Sequence, residues 1–302
     1  MLDFDTAWQH LQLTTKAPDD CRRWNKKAAR YDSRDAKNLY AEEFLRLAAL
    51  KNDESAFDMG CGTGPLACAM AEAGHPVIAA DFSEGMLAKM DQNMALRGVP
   101  RAASVESVKA GQIFPMHMSW EDDWRHFDLH ENMVDVAIAS RSIAVADLRG
   151  ALRKLSGIAR RRCCITMTSG ASPRVDLRVL ADIGVPASPN RDYIYAFGML
   201  AQAGFEPEVR FIHSARKDTF VNYDDALADF TQMIEIGAPG LSPDEMPSAH
   251  DRLRAWLEQH LVDNPEAGQP DKKGFEQGPL TLDFQRIVPW AFISWDAKGG
   301  QL

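Results

Sequence analysis

The chain has 302 residues, 45% of them hydrophobic and 25% charged, with a formal net charge of −9. That is ordinary globular composition, long enough for one large domain or two small ones and for a sizeable core. It excludes a low-complexity or repeat architecture, and the acidic balance argues against a global nucleic-acid binder.

The first fifty residues read as helical, in the stretches "AWQHLQL", "CRRWNKKAARYD" and "NLYAEEFLRLAAL". In the last, Leu39, Phe44, Leu47 and Leu50 fall roughly on one face. From Ser55 strands and helices alternate. "AFDM" is a short buried strand, Pro65 opens a helix over "LACAMAEA", and Gly74 caps it. "PVIAAD" is the second strand, and Ser83 is the expected N-cap of "EGMLAKMDQNMALRG". "IFPMHM" is a third strand, weakened by its proline. "MVDVAIAS" is a buried strand, "DLRGALRKLSGIAR" a helix and "RCCITMT" a strand. "YIYAFGMLAQAG" is a helix and "FEPEVRFI" a strand. This rhythm predicts an α/β fold with a parallel sheet and helices on both faces.

After Ile212 the rhythm fails. From Asp218 to Gln301 there are 15 acidic against 6 basic residues, so the rest of the chain is near neutral. Two helices are expected here. One covers "YDDALADFTQMI", with Leu227, Phe230 and Ile234 on a stripe. The other covers "SPDEMPSAHDRLRAWLEQHL", with Ser242 and Glu245 at capping-box spacing and Leu253, Trp256, Leu257 and Leu261 on an apolar face. A loop follows, and "LTLDFQRIVPWAFISWD" reads as one last long strand, bent at Pro289.

The five cysteines are odd in number and form no C-x-x-C pair. They fit reduced thiols in a cytosol, and no zinc-site spacing appears. The first residues are acidic and lack the apolar run of a signal peptide, and no window is apolar enough to span a membrane. Cys163 and Cys164 read as buried small hydrophobes.

The densest signal is "FDMGCGTGPLACAMAEAG". Gly60, Gly62 and Gly64 follow a strand and open a helix, where absent side chains allow a tight turn and close approach of a ligand. A dinucleotide site would need a further glycine where Pro65 stands. Asp81 ends the second strand, where a carboxylate accepts hydrogen bonds from a ribose diol. An N-capping Asp in a turn is the plainer alternative.

With Asp58 ahead of its G-x-G-x-G spacing, this stretch resembles the first motif of the class I S-adenosylmethionine-dependent methyltransferases. The similarity covers roughly residues 20–212 and the final strand. "DFSEGML", from Asp81, is also similar to the family's wording. The resemblance implies a Rossmann-like, doubly wound, mostly parallel seven-stranded sheet and S-adenosylmethionine as cofactor. It implies cofactor contacts from Asp58, Gly60, Gly62, Gly64 and Asp81, and from Phe82 and Met86 flanking the adenine. At the end of the third strand the adenine-edge candidates are Ser119, Trp120 and Glu121; the family commonly has an Asp where Ser119 falls. After the fourth strand come Ser140, toward the methionine tail, and Arg141, either a clamp for a substrate anion or a surface partner of Asp147. "WNKKAARYD" resembles the cofactor-covering helix of many small-molecule methyltransferases, with Tyr31 for the cofactor and Trp24 for the substrate or for packing.

The implied organisation is a helical lid over 1–50, a cofactor-binding core over 51–212, a helical insertion over 213–280 and the last strand with its tail over 281–302. The implied reaction is in-line methyl transfer to a small molecule. Basic runs over 22–37 and 149–162 keep a tRNA or rRNA methyltransferase as an alternative, and a non-catalytic cofactor-binding module is another. No catalytic base and no oligomeric state can be read from the residues.

Overall fold

Four strands with long buried stretches build the centre of the large sheet. In the computed structural model they are β1 (Ala56–Met59), β2 (Val77–Asp81), β4 (Val134–Ser140) and β5 (Ala159–Thr168). With β3 (Ile113–His117), β6 (Glu208–Arg216) and β10 (Arg286–Asp296) they form a seven-stranded sheet in the order β3-β2-β1-β4-β5-β10-β6. The structure describes residues 2–15, 21–28, 38–170, 172–188, 191–271 and 276–302.

β1 pairs in parallel with β2 and β4, β2 with β3, and β4 with β5. Every residue of β1 and β2 is buried, as expected for strands covered on both faces of a parallel sheet. Pro115 stays inside β3 because β3 is an edge strand, where a missing N–H costs no ladder bond.

The helices are α1 (Phe4–Thr15), α2 (Cys21–Ala28), α3 (Leu39–Ala48), α4 (Pro65–Glu72), α5 (Glu84–Arg97), α6 (Leu148–Ile158), α7 (Leu177–Asp182), α8 (Asp192–Gln202), α9 (Tyr223–Gly237) and α10 (Met246–His260). Ser83 caps α5 by accepting from the Met86 N–H, and Gly98 ends it in the left-handed region.

The chain divides into two compact units. The first comprises Met1–Met167, Tyr193–Ile212 and Ala291–Leu302. Its core joins Trp8, Phe57, Ile78, Leu152, Ile165, Leu200 and Ile293, among others. The second comprises Thr168–Asp192 and His213–Trp290. It packs Leu180, Phe230, Ile234, Leu253, Trp256 and Leu257 around α7, α9 and α10. It also holds an antiparallel sheet in the order β7-β9-β8, built from β7 (Thr219–Phe220), β8 (Leu261–Asp263) and β9 (Leu280–Leu282). Arg286, 2% exposed, pairs there with Asp218 at 3.1 Å and lies over the Phe230 ring.

Five expectations change. The last segment is two strands, not one bent at Pro289. The chain breaks at Asp283–Gln285 because β9 pairs within the small sheet while β10 lies between β5 and β6. Leu261 opens β8 instead of extending the face of α10. α10 itself starts at Met246, although the Glu245 carboxylate does accept from the Ser242 N–H. β6 runs on to Arg216. The inner face of α3 is turned from the one expected: Tyr40, Ala41, Phe44 and Ala48 are buried and Leu39 is 71% exposed.

The α3 face gives a direct test. Phe44 is fully buried with its ring edge-on to Phe292 at 5.2 Å. Phe44→Ala is expected to cost about 3–5 kcal/mol of unfolding free energy in a urea titration. Leu39→Ala is expected to change it by less than about 0.5 kcal/mol.

Candidate functional site

The turn after β1 carries three glycines in the left-handed region, at φ +74° for Gly60, +56° for Gly62 and +80° for Gly64. Their reasons differ. A Cβ on Gly60 would lie 2.2 Å from Ser142 Cβ, and one on Gly64 would lie 2.5 Å from Met90 Cγ. The protein's own side chains therefore already forbid a side chain at both positions. A Cβ on Gly62 would meet nothing within 4 Å. Gly62 is the glycine whose bare backbone faces open space.

Bonds from three elements hold the turn. The Gly60 and Cys61 N–H groups both donate to the Ala80 carbonyl, at 2.7 and 3.0 Å. Asn93 Nδ2, from α5, donates to the Thr63 carbonyl at 2.9 Å. Ser142 Oγ, past the end of β4, donates to the Met59 carbonyl at 2.6 Å. Gly64 then starts α4 with no side-chain cap and Pro65 in the first turn. A helix start left uncapped by any side chain suits a negatively charged ligand group.

Asp81 joins this turn to the next. Its Oδ2 accepts from the Gly62 N–H at 2.8 Å, and its Oδ1 accepts from the Ser83 N–H at 2.9 Å. Asp58 lies one strand away and is 1% exposed, and its Oδ1 has no hydrogen-bond partner among the described residues. Burial first, and the Asp81 charge second, push the Asp58 carboxyl up to about 7. A buried carboxyl with an unmet acceptor beside an open stretch of backbone fits a ligand bringing a donor or a positive charge.

The remaining expected residues lie in two groups. Phe82 is half-buried on the β2–α5 turn, and Met86 is buried in the first turn of α5. The Phe82 carbonyl accepts from Cys21 Sγ at 3.3 Å and faces His117 Nε2 at 3.0 Å. After β3, Ser119 Oγ donates to Glu121 Oε2 at 2.6 Å and the Ser119 N–H donates to Asp122. The Trp120 ring packs into the core near Trp124, and its N–H donates to the Ser142 carbonyl. At the end of β4, Ser140 Oγ is 2.7 Å from the Tyr40 hydroxyl, which also reaches Thr166 Oγ1 at 2.6 Å. Arg141 is exposed with φ +60°, its guanidinium 3.8 Å above the Tyr40 ring. Asp147, weighed as its partner, caps α6 through the Gly150 N–H. Trp24 is half-buried on α2, and Tyr31 lies outside the described residues.

Sequence reasoning missed Tyr40 and also Asn25, whose Oδ1 accepts from Ser83 Oγ and from the Gly85 N–H at the start of α5. Tyr40 was hidden by an apolar stripe assigned to the wrong side of α3. Asn25 carried no signal beyond a polar residue in a basic helix. The basic run over 149–162 is largely occupied within the protein. Arg160 pairs with Asp135, Arg161 with Glu54, and Arg162 with Ser294 Oγ, while Lys154 donates to the Trp120 and Asp122 carbonyls. The run over 22–37 lies mostly outside the described residues.

Residues 56–161, from β1 into β5, match the family model described as a methyltransferase domain. The chain carries a methyltransferase domain over these residues. A methyltransferase domain implies S-adenosylmethionine as the cofactor. It is 28% identical over 291 residues to an uncharacterized protein of Haemophilus influenzae, covering 91% of this chain and 88% of that one. It shares its fold with a crystal structure from Bacillus halodurans provisionally named a methyltransferase. That match has a TM-score of 0.50 and 12% identity, and covers 85% of this chain and 98% of the other.

The Asp58 carboxyl predicts a pH signature in the ligand-free methyltransferase. As pH rises from about 4 to 7 the unfolded chain ionises this group while the folded one holds its proton, so folding loses stability over that window. Asp58→Asn removes the loss. The variant is expected to melt above the wild type at pH 8, with the advantage shrinking at pH 5, by calorimetry. No advantage at pH 8 would contradict the assignment.

Proposed function

We propose that this methyltransferase transfers a methyl group from S-adenosylmethionine to a small-molecule acceptor by in-line displacement. The bond from the Gly62 N–H to Asp81 carries the donor half of this reading: it sets bare backbone and a carboxylate side by side. Asp58 and the turn from Gly60 to Gly64, open at Gly62, hold the amino-acid tail, and Asp81 takes the ribose hydroxyls. Phe82 and Met86 flank the adenine, with Ser119, Trp120 and Glu121 on its edge side and Ser140 toward the tail.

The cofactor supplies an electrophilic methyl group on a sulfonium. The chain's part is to hold donor and acceptor in line, which can account for about 7–11 kcal/mol of the barrier. Asp58 gives up its proton and keeps a charge against the ammonium of the tail. Asp81 fixes the sugar and, through Gly62, the loop under the tail. Arg141, braced over Tyr40, offers a cation at the acceptor end of β4, while Tyr31 and Trp24 are the proposed contributions of the amino-terminal helices.

The small-molecule half rests on charge. Within the run over 149–162, Arg160, Arg161, Arg162 and Lys154 already have partners in the protein. The carboxy-terminal part of the chain is acidic. Both disfavour a polyanion.

Two measurements test this. By titration calorimetry the wild type is expected to bind S-adenosylhomocysteine, and Asp81→Asn to bind it about tenfold to a hundredfold more weakly, from the ~1.5–3 kcal/mol of a hydrogen bond to a charged group. In a transfer assay with labelled methyl donor, label is expected in the small-molecule fraction of a cell extract. Label confined to RNA would overturn the acceptor class, and no heat with donor or product would overturn the whole reading.

A further inference from the structure

Glycine inside a helix costs about 1 kcal/mol relative to alanine, so one that its own backbone does not require has another cause. Gly85 lies in the first turn of α5 and has no positive φ. The cause is α2. A Cβ on Gly85 would lie 3.1 Å from Asn25 Cα and 3.2 Å from both the Asn25 carbonyl and its Oδ1. A side chain here would press α2 back from the turn between β2 and α5 by a few tenths of an ångström.

Asn25 uses that proximity. Its Oδ1 accepts from the Gly85 N–H at 3.0 Å and from Ser83 Oγ at 2.6 Å. The Gly85 N–H is one of the donors a helix start leaves without an intrahelical partner. Ser83 caps the neighbouring Met86 N–H itself, so the two side chains divide the first turn of α5 between them. One turn earlier in α2, Cys21 Sγ donates to the Phe82 carbonyl. The bonds continue inward. The Ser83 N–H donates to Asp81 Oδ1, and Asp81 Oδ2 accepts from the Gly62 N–H. An unbroken chain of hydrogen bonds runs from Asn25 on α2 to the bare backbone of the glycine turn.

We infer that Asn25 is a positioning residue for the methyl donor. It touches no reacting atom. It fixes the start of α5, and through Ser83 the orientation of the Asp81 carboxylate and the Gly62 amide. Docking of α2 and occupancy of the donor site are then coupled, each favouring the other. The inference rests on S-adenosylmethionine occupying the turn that Asp81 and Gly62 form.

The test is calorimetric titration of the full chain with S-adenosylhomocysteine, together with amide hydrogen exchange. Asn25→Ala is expected to raise the Kd about tenfold and to speed exchange at the Gly85 amide. Asn25→Asp keeps an acceptor at Oδ1 and is expected to return the Kd to within about threefold of wild type. Gly85→Ala strengthens α5 but displaces α2, and is expected to weaken binding as Asn25→Ala does. In the wild type, added product is expected to slow exchange across residues 21–28. The inference is overturned if Asn25→Ala and Gly85→Ala both bind with the wild-type Kd. It is also overturned if Asn25→Asp is as impaired as Asn25→Ala, since that marks a general structural loss. Absence of binding by the wild type would instead refute the donor site on which the inference stands.

Discussion

A single hydrogen bond ties the two halves of the proposed donor site together: the Gly62 N–H donating to Asp81 Oδ2. It links the end of β2 to the turn after β1, two strands already paired in register from Ala56 with Val77 to Met59 with Ala80. The parallel ladder brings the strand ends level. The bond then sets the carboxylate against the open backbone. The Gly60 and Cys61 amides on the Ala80 carbonyl keep the turn from lifting away.

The surrounding chain treats that turn as a joint between several elements. Ser142 closes over Gly60 from β4, Met90 and Asn93 come down on Gly64 and Thr63 from α5, and Asn25 reaches the β2–α5 turn from α2. Three glycines thus serve two purposes. Gly60 and Gly64 make room for the protein's own side chains, and Gly62 leaves room for a ligand. A motif that looks uniform in the sequence divides in space into scaffold and site. The buried Asp58 carboxyl adds the electrostatic part. An acceptor kept without a partner is costly unless something outside the chain meets it, and a positively charged amine does so.

Much of this was legible in the sequence, because the parallel sheet announces itself. Apolar runs such as "VIAAD" alternate with helices, and their order brings Asp58, the glycines and Asp81 to one end of the sheet. The helix face of α3 was misread because leucines are easy to assign inward. Tyr40 is the buried member, since its hydroxyl finds Ser140 and Thr166 while Leu39 faces out. The small sheet β7-β9-β8 was unreadable, because strands of two or three residues have no periodicity to show. The split of β9 from β10 was hidden for a related reason. Apolar alternation says that a segment is a strand, but not which sheet it joins. Asn25 could not be found at all, since its role depends on the distance between α2 and the start of α5.

The central claim is that bare backbone at Gly62 and the carboxylate of Asp81 together receive the methyl donor. A crystal structure of the protein grown with S-adenosylhomocysteine tests it most directly. The account predicts the homocysteine tail lying along the Gly60–Gly64 turn, with both ribose hydroxyls within hydrogen-bond distance of Asp81. Product bound elsewhere, with Asp81 making no contact to its sugar, would contradict it.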